Sequence, residues 1–168
     1  MNAYLITTAN VKKLTYIQGN VDDAILSITI KRVQDNIIQP IIGTSLYKRL
    51  LAGITANDLN ADEETLLNDY IAPCIASACD YKIIYPLANK TRNKTVGSNN
   101  DEIMSTATLE AQTQLRNEYR KDFEPYRLAL IGFLKDNEQD YPEYYNWVCS
   151  FENRPPDKGR TKTNIRFL

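Results

Sequence analysis

The sequence predicts an all-α fold, a bundle of four to five helices with an extended N-terminal arm and a C-terminal tail. In residues 22–51 and again in 101–135, apolar side chains recur every three or four positions, which is the spacing of one helical face. A chain of 168 residues is long enough to bury one substantial core. We therefore predict a helical bundle domain with its arm over residues 1–149 and an extended basic tail over 150–168.

The arm and the first long helix are predicted from the change in pattern near Asp22. Residues 1–20 mix short apolar groups with Thr, Asn and Gly, which favours an extended arm packed on the bundle. Beyond Asp22 the predicted core stripe of the helix consists of Leu26, Ile30, Val33, Ile37 and Ile41. Ile25 and Ile28 lie off this stripe, so the helix has more apolar face than one neighbour needs. We predict that these two residues form an oligomer interface or pack against the arm.

A proline and a glycine shape the turn after this helix. Pro40 has no N–H to donate and disfavours helical geometry at Gln39, so we expect the helix to end there. Gly43 permits a left-handed turn, and Thr44 or Ser45 is expected to cap the short helix that follows.

The next helix is predicted over residues 61–85, after a loop over 53–59. Asn60 and, three residues later, Glu63 have the spacing of a capping box. Pro73 is expected to kink this helix and Pro86 to end it.

A polar, basic segment follows over residues 89–100 and is predicted to be a loop. Its cations Lys90, Arg92 and Lys94 could line a DNA channel, or the segment could be a plain solvated loop. The glycine and lysine pattern of a phosphate-binding P-loop is absent from the sequence here.

Another long helix is predicted over residues 101–135, with a kink or break near Asp122 because of Pro125. Pro142 is expected to start a short last helix, since proline suits the first helical position. The aromatic patch over 141–147 is equally suited to closing the core and to anchoring an interface.

The sequence offers little that catalysis or metal binding needs. It contains no histidine, and the three cysteines show no C-x-x-C spacing. We expect Cys74 and Cys79 to be reduced core residues, and we predict no enzyme activity, no cofactor and no metal site. The N-terminus shows no secretory signal pattern, and no segment is long and apolar enough to span a membrane.

The tail differs from the body in charge. Residues 150–168 carry five Lys or Arg against two Asp or Glu, whereas residues 1–149 carry 15 against 19. The prolines at 155–156 give polyproline-like stiffness, and polar and apolar residues alternate over 164–168. Both features suit a segment that docks on a partner as an added strand. A disordered cationic tail is the alternative. The residues predicted to bind a partner are Arg154, Lys158, Arg160, Lys162, Ile165, Arg166 and Phe167.

The run from Gln34 to Tyr47, QDNIIQPIIGTSLY, follows an acidic-capped helix and resembles the N-terminal helices of head–tail connector proteins of tailed bacteriophages. The resemblance covers roughly residues 20–52 and has no catalytic motif. It implies a portal adaptor, a ring that is dodecameric in that family and extends the DNA channel. The implied partners are the portal protein, the next tail or neck ring, and DNA passing non-specifically through the lumen, with no membrane.

Two other functions remain open at this point. The chain could be another ring of the neck, such as a stopper or head-completion protein. It could also be a small helical nucleic-acid-binding protein that uses the 89–100 segment and the basic tail, although the whole chain has a net charge of −1. As a connector, it is expected in the virion neck after assembly in the host cytoplasm.

Overall fold

A computed structural model describes residues 4–92, 95–98 and 108–144, and within them the fold is all-α, as the sequence predicts. The described part has five helices, a further helical segment at residues 142–144 and one small hairpin. α1 is Thr8–Leu14, and α3 is Thr44–Ala56. α2 consists of Asp23–Val33, a π turn Gln34–Ile38 and Gln39–Ile42. α4 consists of Ala61–Thr65, a π turn Leu66–Ile71 and Ala72–Ala88. β1 is Asn89–Arg92, β2 is Thr95–Ser98, and α5 is Leu109–Asp136.

The central element is the second half of α4, which packs against α1, α2 and, most extensively, α5. A helix that is apolar nearly all round is expected to be enclosed by its neighbours. The buried residues of this segment are Cys74, Ile75, Ala76, Ala78, Cys79, Asp80, Tyr81 and Ile83. The predicted core position of the two cysteines is confirmed, since both are free thiols with no exposed surface. Burial raises the pKa of Cys74 to about 12, which makes this thiol inert at neutral pH.

The π turn in α2 changes which isoleucines reach the core. Leu26, Ile30 and Val33 are buried as predicted, but beyond them the buried residues are Ile38 and Ile42, both with no exposed surface. Ile37 and Ile41 are only partly buried. In the π turn the N–H of Gln39 donates to the carbonyl of Gln34, five residues back, so the turn holds one extra residue. The prediction that Ile37 and Ile41 belong to the core stripe was therefore wrong, because the residues one position later, Ile38 and Ile42, take their place.

The same π turn explains why Pro40 does not end α2. The helix continues through Pro40 to Ile42 and ends at Gly43, whose φ of 83° confirms the predicted left-handed turn. A proline ring normally collides with the carbonyl four residues before it. The wider π turn moves that carbonyl aside. α4 repeats the arrangement, with a π turn over Leu66–Ile71 directly before Pro73.

Two other prolines are also tolerated inside helices. α4 continues two residues past Pro86, to Ala88, and α5 runs without a break through Pro125. The predicted end at Pro86 was therefore wrong, and of the predicted kink or break near Asp122 the break does not occur. Packing of both helices along their length outweighs the loss of one hydrogen bond at each site.

The predictions for α3 were partly wrong at both ends. Gly43 is itself the N-cap residue, and neither Thr44 nor Ser45 caps the helix with its side chain. The helix extends into the predicted loop and ends at Ala56, followed by Asn57 in a left-handed conformation with a φ of 53°. Asparagine tolerates that conformation better than most residues do.

The capping box before α4 is confirmed. The side chain of Asn60 accepts a hydrogen bond from the N–H of Glu63 at 2.7 Å, and the carboxylate of Glu63 accepts one from the N–H of Asn60 at 3.0 Å. Arg49 of α3 binds both carboxylate oxygens of Glu63, at 2.7 and 2.9 Å. Glu63 therefore caps its own helix and joins it to α3.

The N-terminal arm is less extended than predicted, because it contains α1. The side chain of Thr7 caps α1 by accepting from the N–H of Asn10. The arm packs on the bundle as expected, with Leu5 and Val11 buried. The N–H of Leu5 donates to Oε1 of the fully buried Gln34 at 2.7 Å, which fixes the arm to the π turn of α2.

Residues 89–92 and 95–98 pair as antiparallel strands where the sequence predicts a loop. Lys90 pairs with Gly97 and Arg92 with Thr95 in its register. The prediction rested on the polar, basic character of the segment, whereas Thr91, Thr95 and Val96 are β-branched and suit strands. At the C-terminal end of the described chain, residues 142–144 are helical, as Pro142 predicts. Cys149 lies outside the described residues.

Candidate interaction cleft

One side of α2 forms the wall of an open cleft with a volume of about 930 Å³. The α2 side chains along it follow helical spacing and comprise Ile25, Ile28, Thr29, Arg32, Val33 and Asn36. Lys82, Tyr85 and Pro86 of α4 and Arg116 of α5 complete the lining. The cleft thus lies where three helices meet.

The apolar part of the cleft is the surplus face that the sequence indicates. Leu26 and Ile30 face the core and have no exposed surface. Ile28 is 57% exposed, and Ile25 is half-buried against the edge of the core. Ile28 is therefore a large apolar side chain without cover in the described part of the chain.

Among the described residues, the charged side chains that line the cleft are all positive. They are Arg32, Lys82 and Arg116, and no described Asp or Glu is part of the lining. None of the three has an ion pair with another described residue. The guanidinium of Arg116 lies 5.2 Å from the ring centroid of Tyr85, which holds this cation over an aromatic face.

The hairpin follows the cleft wall directly in sequence. β1 begins at Asn89, three residues after Pro86 of the cleft wall, and carries Lys90 and Arg92. Lys94, the third predicted DNA-contacting cation, lies outside the described residues. The predicted partner-binding residues of the tail also lie outside them.

A second cleft, about 710 Å³ in volume, lies between the arm, α4 and α5. The buried carboxyl of Asp80 is part of its wall. The pKa of Asp80 is raised to about 7: burial raises it most, a hydrogen bond from the N–H of Tyr16 lowers it, and the nearby Asp122 raises it. The ring of Tyr16 stacks on Tyr119 with centroids 5.7 Å apart. These contacts join the arm to the two long helices.

We expect Asp80→Asn to change how stability depends on pH. The ordinary pKa of the carboxyl is 3.8, and its value of about 7 in the folded protein means that the folded state keeps a proton the unfolded state releases. The wild-type free energy of unfolding should therefore fall as pH rises from about 4 to about 7. The neutral amide avoids this loss, so the variant should melt at higher temperature than wild type at pH 8 and at nearly the same temperature at pH 4.

Thermal melts over that pH range measure the effect, with Asp122→Asn as the control. Asp122 is exposed and lines the same cleft. Its replacement should alter the curve much less. Parallel melting curves for wild type and Asp80→Asn would contradict the assignment.

Sequence reasoning found the isoleucines of the first cleft but missed its cations. Ile25 and Ile28 stand out within one helix, because they break a stripe. Arg32, Lys82 and Arg116 belong to three segments far apart in sequence, and each alone looks like an ordinary solvated residue. Only the packing of α2, α4 and α5 brings them together.

The sequence pattern of DUF6712, a family of unknown function, matches residues 38–149. The chain belongs to this family. The matched segment includes α3, α4 and α5, and with them the Lys82, Tyr85 and Arg116 part of the cleft, whereas the α2 wall from Ile25 to Asn36 precedes it. No curated protein and no solved structure matches the chain.

Within the described residues, no helix is both long and apolar enough to cross a membrane. Nor do three or more His, Cys, Asp or Glu side chains there come together in a group that could hold a metal ion.

Proposed function

We propose that this chain is a structural virion protein, a head–tail connector or adaptor that forms a ring under the portal of a tailed phage. The ring extends the DNA channel and docks the next tail component. The protein acts by assembly and not by catalysis. The proposal rests on the resemblance of the run from Gln34 to Tyr47 to connector helices, and one observation supports it most.

That observation is that the two ends of the run meet in one hydrogen-bonded network. Nε2 of Gln34 donates to the hydroxyl of Tyr47 at 3.2 Å, and this hydroxyl donates to Oδ1 of Asp35 at 2.8 Å. Lys31 binds the same carboxylate at 2.6 Å. Burial opposes the ionised form, but the hydrogen bonds from Lys31 and Tyr47 still lower the pKa of Asp35. The run thus forms one folded unit, as a shared structural element should.

A second supporting observation is the uncovered apolar surface at the cleft. Ile28 is 57% exposed beside three cations that lack ion pairs among the described residues. A ring protein needs such a surface on every protomer, because each subunit contacts two neighbours.

Negative-stain imaging of the purified protein, alone and with the portal protein of the same phage, tests the proposal. A connector should give closed rings that stack coaxially on the portal. Rings that never bind the portal would favour the other neck proteins, the stopper or head-completion proteins. A monomer that binds neither portal nor neck components would contradict the whole class.

The tail is the proposed docking element, and deleting residues 154–168 is expected to affect docking alone. The deleted segment is basic and carries Ile165 and Phe167 two positions apart, on one side of an extended strand. The truncated protein should keep its helical circular dichroism and its self-association, and should lose at least about tenfold in portal binding.

A full-length variant with Arg154, Lys158, Arg160, Lys162 and Arg166 replaced by serine separates charge from strand pairing. An intermediate loss of binding is expected for it. If the truncated protein bound the portal with unaltered affinity, the tail would be a solvated appendage and the docking surface would lie on the bundle.

The alternative from another class is a nucleic-acid-binding protein. The observation that favours it is the hairpin with Lys90 and Arg92, since a two-stranded ribbon fits the major groove of DNA. Tight or sequence-dependent binding to duplex DNA at physiological salt would favour this alternative. Weak binding that disappears as salt rises suits passage through a connector channel.

A further inference from the structure

The end of the bundle farthest from the cleft is acidic. Residues 57–70 and 136–144 together carry nine Asp or Glu and no Lys or Arg. The structure joins these two segments, because the hydroxyl of Tyr141 donates to the carbonyl of Asp62 at 2.9 Å. The ring of Tyr70 also stacks on Phe133, just before the second segment, with centroids 4.0 Å apart. We call this surface the acidic end.

Most of this charge is not neutralised within the fold. Arg49 pairs with Glu63 and, at 3.6 Å, with Asp58. No ion pair joins the other acidic side chains of the acidic end to another described residue. The exposed ones among them are Asp62, Glu64, Asp69, Asp136 and Asp140.

The two long helices carry the acidic end and the cleft at opposite ends of the bundle. α4 has Glu64 in its first turns and Tyr85 of the cleft near its last. Twenty-one residues at about 1.5 Å each place them roughly 30 Å apart. α5 runs the other way, from Arg116 of the cleft to Asp136. The protein therefore has a positive end with exposed isoleucine and a negative end.

We propose that the cleft binds the acidic end of a second copy of this chain, so that protomers associate head to tail. This inference rests on the proposed function and names the surfaces that would join the ring. Arg32, Lys82 and Arg116 supply the charge that the acidic end lacks, and Ile28 becomes covered. Because the two surfaces differ, each protomer keeps one free site of each kind and the contact repeats into a ring or filament.

The chemistry of the cleft favours a protein occupant over DNA. Duplex DNA presents phosphates to a basic groove, and Ile25 and Ile28 would lie against charged oxygens there. A folded protein surface presents both carboxylates and apolar side chains. The acidic end has the required charge and is present at the same concentration as the cleft.

Reciprocal charge reversal in the full chain tests the contact by sedimentation velocity at low salt. The cleft variant is Lys82→Glu with Arg116→Glu, and the end variant is Asp62→Lys with Glu64→Lys. Each alone should weaken self-association at least about tenfold, because like charges then face each other. The combination of all four changes should restore most of the association, since opposite charges face again.

Matched controls are Lys13→Glu and Glu118→Lys, which reverse exposed charges outside both surfaces. They should associate like wild type. Ile28→Asp tests the apolar part without removing a cation and should also weaken association at least about tenfold, with an unchanged melting temperature because the side chain is exposed. Circular dichroism melts establish that every variant is folded.

The inference would be overturned if the wild-type chain stayed monomeric at all salt concentrations, or if the cleft variants associated normally. Association lost in the cleft variant but kept in the end variant would also overturn it, because a different occupant would then be required. The proposed connector function is judged separately by portal binding. If the charge-reversal variants still formed rings that bind the portal, the connector function would hold but the head-to-tail contact would be refuted.

Discussion

Replacing Ile38 with alanine is expected to lower the free energy of unfolding by about 3 kcal/mol, whereas the same change at Ile37 should cost less than about 1 kcal/mol. Ile38 has no exposed surface, and its loss leaves a cavity that the neighbouring helices cannot fill. Ile37, one position earlier, is only partly buried. Urea titration of both variants, with an unchanged slope against denaturant, measures the difference.

This pair tests the π turn in solution. In an uninterrupted α-helix the stripe from Leu26 would continue through Ile37, and the order of the two effects would be reversed. A larger loss at Ile37 than at Ile38 would therefore contradict the observed register of α2. Equal losses would indicate that the turn converts between the two helical forms.

Glu63→Ala is expected to lower the melting temperature by roughly 5–10 °C, which corresponds to about 2–3 kcal/mol for a domain of this size. Glu63 is 5% exposed and serves two partners. It accepts the N–H of Asn60 in the capping box and binds Arg49 through both oxygens. Its removal leaves the first turn of α4 uncapped on one side and releases α3 from it.

Glu64→Ala is the matched control, because Glu64 lies in the same first turn but is exposed. Its loss should lower the melting temperature by about 2 °C at most. A double variant that also carries Arg49→Ala should melt only slightly below Glu63→Ala, since both changes remove the same ion pair. Additive losses, or equal effects of Glu63→Ala and Glu64→Ala, would show that the contacts of Glu63 with Asn60 and Arg49 do not stabilise the protein.

The sequence predicts the fold well where the signals are local. Asn60 and Glu63 identify the start of α4 to the residue, and Gly43 identifies the turn after α2. Pro40 was misleading because the π turn before it cannot be read from the residues, and Pro86 because a proline shows only the hydrogen bond that the backbone loses locally. Whether a helix continues depends on how much its neighbours bury, and here both helices are packed over most of their length.

The functional surfaces are harder to predict because they combine distant segments. Ile28 was detectable, since it breaks the stripe of its own helix. The partnership of Arg32 with Lys82 and Arg116 depends on how three helices cross. The acidic end likewise needs Tyr141 to contact Asp62, 79 positions earlier in the chain. The net charge of the whole sequence is −1, so it does not reveal that one end is positive and the other negative.

The wide turn in α2 has a consequence for how this chain can vary. If one residue were deleted between 34 and 38, the remaining helix could become regular and still deliver the same isoleucines to the core. The turn thus behaves as a single-residue insertion that the helix has absorbed. Pro40 would then follow a regular α-helical turn, in which a proline ring clashes with the carbonyl four residues before it. The added residue and the proline are therefore tolerated together, and without the added residue Pro40 would lower the stability of α2.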